Sequence, residues 1–128
     1  MKKIDLENLL SIVEEKYYID NDWENKKNIS VYWKDLEWEI SEVKEELKEN
    51  NSVYLEDELW DIFRCYINLL KKLEKEWYIE SLENVFSHAD KKFTQRINGR
   101  KNGISWQTTK DIQKQELKKE HDIKYNKI

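Results

Sequence analysis

The sequence predicts an all-α fold, a bundle of four or five helices built around one antiparallel helical hairpin. Three observations carry that prediction. The 128 residues contain no Pro and only two Gly, Gly99 and Gly103, far fewer turn residues than a sandwich or barrel needs. Apolar residues recur at intervals of three and four along several long stretches, the period of an amphipathic helix. Six Trp, seven Tyr and three Phe supply an apolar payload that disordered chains lack. A chain of this length is expected to form a single domain, 1–128, in which 105–128 is a basic C-terminal helix or tail.

The first helix is expected from Asp5 to about Tyr18, with Leu6, Leu9, Leu10 and Val13 at helical spacing. A polar connection follows from Asp20 to Asn28, anchored by Trp23. Ser30 is a good N-cap type for a second helix reaching about Glu49, along which Leu36, Ile40, Val43 and Leu47 recur. Asn50-Asn51-Ser52 breaks that pattern, and Ser52 is the expected cap of the third and longest helix. Its stripe is Leu55, Leu59, Ile62, Tyr66, Leu69 and Leu73, continued by Trp77. The short connection predicts that the second and third helices pack as an antiparallel hairpin. A fourth helix, from about Ser81 to Ile97, carries Leu82, Val85, Phe86, Ala89, Phe93 and Ile97, and the two Asn-Gly pairs end it. From Ser105 onward Ile112, Leu117 and Ile123 make no regular stripe, which predicts a helix that frays or docks on a partner chain.

Composition excludes several function classes. One cysteine, Cys65, rules out an internal disulfide framework and a Cys-rich zinc site. It lies in an apolar run and reads as a buried filler. His88 and His121 stand far apart in sequence, and no Glu-x-x-His pair of the di-iron bundles is present. The N-terminus turns acidic at once, and no stretch approaches the roughly 20 apolar residues of a membrane span. A cytoplasmic, soluble protein is expected, with no membrane partner. Charge is uneven: residues 1–90 hold 12 basic and 23 acidic side chains, whereas residues 91–128 hold 11 basic and 4 acidic. Such a balance suits a body that holds cations and a tail that meets anions, or simply a solvated basic tail.

The acids carry the clearest pattern. Glu39 and Glu42 are three apart on the second helix, and Glu58 and Asp61 are three apart on the third, so each pair shares a helix face. Each acid precedes a stripe residue (Ile40, Val43, Leu59, Ile62), so both pairs flank the seam between the helices. Four converging carboxylates make a hard, oxygen-only site of the kind that Mg²⁺ or Mn²⁺ prefers. The alternative is a solvated acidic face. Against it, Glu39, Glu42 and Glu58 have no Lys or Arg three or four residues away, and only Asp61 has one, Arg64.

Glu39-Ile40-Ser41-Glu42, then 15 residues, then Glu58-Leu59-Trp60-Asp61 resembles the E-x-x-E…E-x-x-D signature of the MazG-like nucleotide pyrophosphohydrolases. Ala89-Asp90-Lys91-Lys92-Phe93-Thr94-Gln95-Arg96 is similar to that family's A-N-x-K-F-x-x-R segment, and the likeness covers roughly residues 30–100. Ser41 and Trp60 stand where the family commonly has Gly, Asp90 stands where it often has Asn, and the span from Asp61 to Lys92 is longer. The resemblance implies a MazG-like helical fold and Mg²⁺-dependent hydrolysis of a nucleoside triphosphate to monophosphate and pyrophosphate. Glu39, Glu42, Glu58 and Asp61 would hold the metal, with Glu39 or Glu42 as base. Lys92 and Arg96 would contact phosphates, Asp90 could add a fifth acid, and Asn68 could bind a sugar or base. Trp33, Trp38, Trp60 and Trp77 read as core or interface, with Trp38 and Trp60 the two to consider for base stacking. A homodimer or higher oligomer is expected, because the hairpin has more apolar surface than the chain readily buries, and nucleic acid is not an expected partner. Two rival readings remain: a dUTP- or dCTP-preferring pyrophosphatase, and a non-catalytic helical interaction module whose basic tail binds an acidic partner or nucleic acid.

Overall fold

The computed structural model describes residues 3–19 and 28–125, and every regular element in them is a helix. These are α1 Leu6–Ile19, α2 Ile29–Glu45, α3 Ser52–Lys75, α4 Leu82–Lys101 and α5 Trp106–Tyr125. The predicted all-α class therefore holds. Most of the polar connection after α1, including Trp23, lies outside the described residues. The chain divides into two compact units, Met1–Leu82 and Glu83–Ile128. No helix among the described residues is long and apolar enough to cross a membrane.

In the first unit α2 and α3 pack against each other and α1 lies on α3. Cross-helix neighbours run in opposite directions along the two helices. Asn51 Nδ2 donates to the Glu46 carbonyl at 2.8 Å, Arg64 reaches Glu39 at 3.7 Å, and Tyr32 packs in one cluster with Leu69. That is the antiparallel hairpin the short connection requires. The core gathers Tyr17 of α1, Tyr32 of α2 and Leu69 of α3, backed by Ile29, Leu36 and Leu73. Near its C-terminal end α3 is buried on several sides, including Lys71 and Lys72. Lys71 Nζ pairs with Glu14 of α1 at 3.2 Å and with Glu74 at 3.3 Å. Burial alone would lower the Lys71 pKa, but the hydrogen bond and charge of Glu14, with the Glu74 charge, outweigh it and hold the ammonium above its ordinary value.

The caps depart from expectation by small steps. Asp5 caps α1, its Oδ1 accepting from Asn8 N at 2.9 Å. Asn28 caps α2 by accepting from Ser30 N at 2.9 Å, so Ser30 is helical rather than the cap. Ser52 is likewise the first residue of α3, and Asn51 at the cap position turns its side chain back to Glu46. Helix α2 stops at Glu45, leaving Leu47 75% exposed and outside the helix it was expected to extend.

Trp77 does not continue the α3 stripe. Helix α3 ends at Lys75, Trp77 has φ 67°, and its side chain is 91% exposed. Trp77 N donates to the Glu74 carbonyl at 3.1 Å and Tyr78 N to the Leu73 carbonyl at 2.9 Å. That pair of bonds is the Schellman ending that normally places Gly in the left-handed position. A left-handed backbone costs an L-residue roughly 1–2 kcal/mol, of which glycine's extra unfolded-state freedom returns a part. Trp77→Gly should therefore stabilise the protein by about 1 kcal/mol, read as a higher urea midpoint. An unchanged or lower midpoint would contradict this account of the turn.

The second unit is the α4–α5 hairpin. Its connection uses the same ending with the usual residue: Gly103 has φ 80°, Gly103 N donates to the Arg100 carbonyl at 3.2 Å and Ile104 N to the Gly99 carbonyl at 2.8 Å. Gly99, expected to terminate the helix, lies inside it. A Cβ there would stand 2.7 Å from Thr109 Oγ1, so the missing side chain lets α4 and α5 approach closely. Ser105 caps α5, its Oγ accepting from Thr108 N at 3.1 Å, and α5 is a continuous helix despite its irregular stripe.

Candidate metal centre

Three of the four predicted metal ligands come together. Glu39 of α2 and Glu58 and Asp61 of α3 each offer a carboxylate oxygen, and these atoms lie within 4.8 Å of one another. The local reason is simple: the i,i+3 spacing puts Glu58 and Asp61 on one face of α3, and the antiparallel register brings Glu39 opposite them. The Glu39 side chain is only 15% exposed. Glu39 Oε2 and Glu58 Oε2 are buried with no hydrogen-bond partner. Buried carboxylate oxygens are ordinarily satisfied, so two orphans on one cluster fit a divalent cation held through hard oxygen ligands.

Glu42 is close but differently engaged. Its Oε1 accepts from the Trp38 indole nitrogen at 2.8 Å, and its carboxylate is outside the three-acid group. Its charge still acts on the cluster. Glu39 has a pKa raised above the ordinary carboxylate value, first by burial and then by the charges of Asp61 and Glu42, with Arg64 opposing. Glu58 is raised as well, by burial, then by Glu42 and Asp61. Arg64 was foreseeable as an i,i+3 partner of Asp61, whose Oδ1 lies 3.4 Å from Arg64 Nε. Its second contact, Nη2 to Glu39 Oε1 at 3.7 Å, crosses between helices and needs the hairpin register to be seen.

The raised values have a consequence for stability. Folded Glu39 and Glu58 bind protons more tightly than their unfolded counterparts near pH 4.5. The native state therefore carries more protons between that pH and the raised values, and stability falls as pH rises through the window. Glu39→Gln removes one such group. Its stability relative to wild type should rise with pH in metal-free urea melts between about pH 4 and 7. A difference that is flat, or falls, would contradict this.

The other predicted residues are distributed as follows. Trp38 is exposed with its indole tied to Glu42, whereas Trp60 is half-buried with its ring 5.3 Å from that of Phe63. Asn68 is half-buried on α3, two turns beyond Asp61. Asp90, Lys92 and Arg96 belong to α4 in the second unit, where Asp90 Oδ1 accepts from Thr94 at 3.3 Å. None of Trp33, Trp38, Trp60 and Trp77 is buried: Trp60 is half-buried and the other three are exposed, so of the two expected places, core or interface, the core is excluded. Tyr17 and Tyr32 occupy the core instead. Cys65 is buried as expected, and burial pushes its thiol pKa up, which makes it a poor nucleophile. A comparison with protein-family models, curated proteins and solved structures finds no match.

Proposed function

We propose that the first unit binds Mg²⁺, or Mn²⁺, through Glu39, Glu58 and Asp61 and hydrolyses a nucleoside triphosphate to the monophosphate and pyrophosphate. The observation that carries this reading is the pair of orphaned, buried oxygens on Glu39 and Glu58 beside Asp61. The spacing of these acids within the E-x-x-E…E-x-x-D pattern supports the reaction type. When bound, the cation would neutralise phosphate oxygens and acidify a water. Glu42 is the better candidate base, because its carboxylate lies outside the three-acid cluster and is oriented by Trp38. It would take the proton of the water that attacks the α-phosphorus, while the bond to the pyrophosphate oxygen breaks. The exposed Trp38 ring offers a stacking face for a base, and Asn68 a polar contact for a base or sugar. Lys92, Arg96 and Asp90 are in the other unit, and this reading does not use them.

One observation favours the rival of a non-catalytic interaction module. Arg64 already offsets part of the charge of Glu39 and Asp61, which a purely structural acidic seam would also need. Association through the hairpin fits either reading, since Ile40, Leu59 and Tyr66 are exposed on it, and we propose a homodimer or higher oligomer that covers them. The deciding assay is pyrophosphate release from a panel of ribo- and deoxyribonucleoside triphosphates, dUTP and dCTP included, with Mg²⁺ and with EDTA. Mg²⁺-dependent release from at least one is expected. No release from any member would leave the interaction module as the better reading.

A further inference from the structure

We infer that Arg64 is a phosphate-binding residue held in reserve by the acid cluster. Its guanidinium offsets Glu39 and Asp61 until a divalent cation takes their charge, and then binds the phosphate chain that accompanies the cation. The inference rests on the cation site proposed above and adds to it a residue that neither acidic motif contains. Arg64 follows Asp61 by one turn of α3, with Nε 3.4 Å from Asp61 Oδ1 and Nη2 3.7 Å from Glu39 Oε1 across the hairpin. Among the described residues it is the one Lys or Arg within ion-pair distance of Glu39, Glu58 or Asp61.

Its hold on the acids is loose. Both contacts are long for a charge-assisted pair, which ordinarily closes to about 2.7–2.9 Å. Among the described residues the guanidinium makes one hydrogen bond, from Nε to Asp61, although it carries several more N–H donors. No carboxylate therefore occupies its planar fork, the feature by which arginine exceeds lysine in binding an oxyanion. With its side chain 27% exposed, Arg64 can be reached from solvent yet is covered enough to need an anion beside it.

Cation binding changes the balance. Glu39 and Asp61 are two of the three carboxylates that converge within 4.8 Å, so a cation held there takes the charges that face Arg64. The arginine, which stays ionised, then stands beside a divalent cation with its partners engaged, and like charges repel. An oxyanion shared by the two relieves that repulsion, and a phosphate chain offers adjacent oxygens to both. The proposed reaction brings such a chain and otherwise lacks a side-chain cation to hold it, because Lys92 and Arg96 belong to the second unit. Asn68 lies four residues beyond Arg64, so Asp61, Arg64 and Asn68 share one face of α3. Arg64 thus stands between the acid cluster and the residue proposed to meet the base or sugar, the stretch that a phosphate chain would span.

Opposite effects on two ligands distinguish this role from a structural one. Mn²⁺ binding to the full chain is followed by electron paramagnetic resonance without nucleotide, and inorganic triphosphate is titrated calorimetrically with Mg²⁺ in excess. Arg64→Gln should bind Mn²⁺ about threefold or more tightly than wild type, because a repelling cation has gone. It should bind triphosphate about tenfold or more weakly, because the fork has gone. Arg64→Lys keeps the charge without the fork, so it should bind Mn²⁺ as wild type does and triphosphate with an intermediate loss. That variant carries the test by itself should Arg64→Gln fail to fold by circular dichroism. Weaker or unchanged Mn²⁺ binding in Arg64→Gln would make the residue a structural clasp of the acids and overturn the inference. Triphosphate affinity equal to wild type in both variants would overturn it too. Wild type that binds Mn²⁺ but no triphosphate overturns the inference and leaves the cation site standing, whereas wild type that binds no Mn²⁺ overturns both.

Discussion

Asp61→Asn should abolish pyrophosphate release while leaving helical content, and the melting temperature in EDTA, close to wild type. Asp61 contributes one of the three converging oxygens, and its charge is among the causes that raise both Glu39 and Glu58. Asparagine keeps the volume and an acceptor for Arg64, which now bonds Asp61 Oδ1 at 3.4 Å, so the local packing survives. The anionic ligand does not. Losing only a neighbour of a metal ligand typically costs 10–100-fold, so loss of a ligand itself should reduce turnover by about 100-fold or more. A folded variant with near wild-type turnover would remove Asp61 from the site.

The second large effect is metal-dependent stability. A cation that binds only the folded chain stabilises it by about 2.7 kcal/mol at a hundredfold excess over Kd, a rise of several degrees in Tm for a chain of this size. Millimolar Mg²⁺ or Mn²⁺ should therefore raise the Tm above that measured in EDTA at matched ionic strength. Glu58→Gln removes a carboxylate whose ionisation is opposed by burial and by Glu42 and Asp61. Without metal that variant should be as stable as wild type or more so, and its metal-induced shift should shrink. Equal shifts in the two proteins would mean that the cation binds elsewhere.

Much of this arrangement is legible in the amino-acid sequence. Periodicity and the lack of Pro predict the helices, and the short Asn50-Asn51 connection makes α2 and α3 an antiparallel pair. Spacing puts Glu58 and Asp61 on one face of α3 and Glu39 and Glu42 on one face of α2, but the hairpin register decides which of the four meet, and Glu42 stays outside the cluster. What fails depends on tertiary geometry. Gly99 reads locally as a helix stop, yet its use is the close approach of Thr109, a contact made by another helix. Nothing in Glu76-Trp77-Tyr78 marks a helix end, since the left-handed position there is filled by Trp rather than Gly. Nearby residues of similar capping ability, Asn28 two before Ser30 and Asn51 next to Ser52, differ too little locally to decide the cap. Tryptophan hydrophobicity suggests a Trp core, whereas the core forms where α1, α2 and α3 meet, at Tyr17, Tyr32 and Leu69. The hydrogen bond from Arg96 Nε to Gln113 Oε1 joins residues 17 apart, beyond the reach of any helical period.

The central claim is that Glu39, Glu58 and Asp61 form a cation site, and Mn²⁺ titration followed by electron paramagnetic resonance tests it most directly. Free Mn²⁺ gives a strong signal that bound Mn²⁺ loses, so no substrate need be known. Wild type near neutral pH should bind Mn²⁺ saturably and in competition with Mg²⁺. Glu39→Gln and Glu58→Gln should each weaken that binding by about tenfold or more, while Asp57→Asn, an acid of α3 outside the cluster, should bind as wild type does. Failure of wild type to bind Mn²⁺, or an equal loss in Asp57→Asn, would contradict the claim and leave the three carboxylates as an acidic seam offset by Arg64.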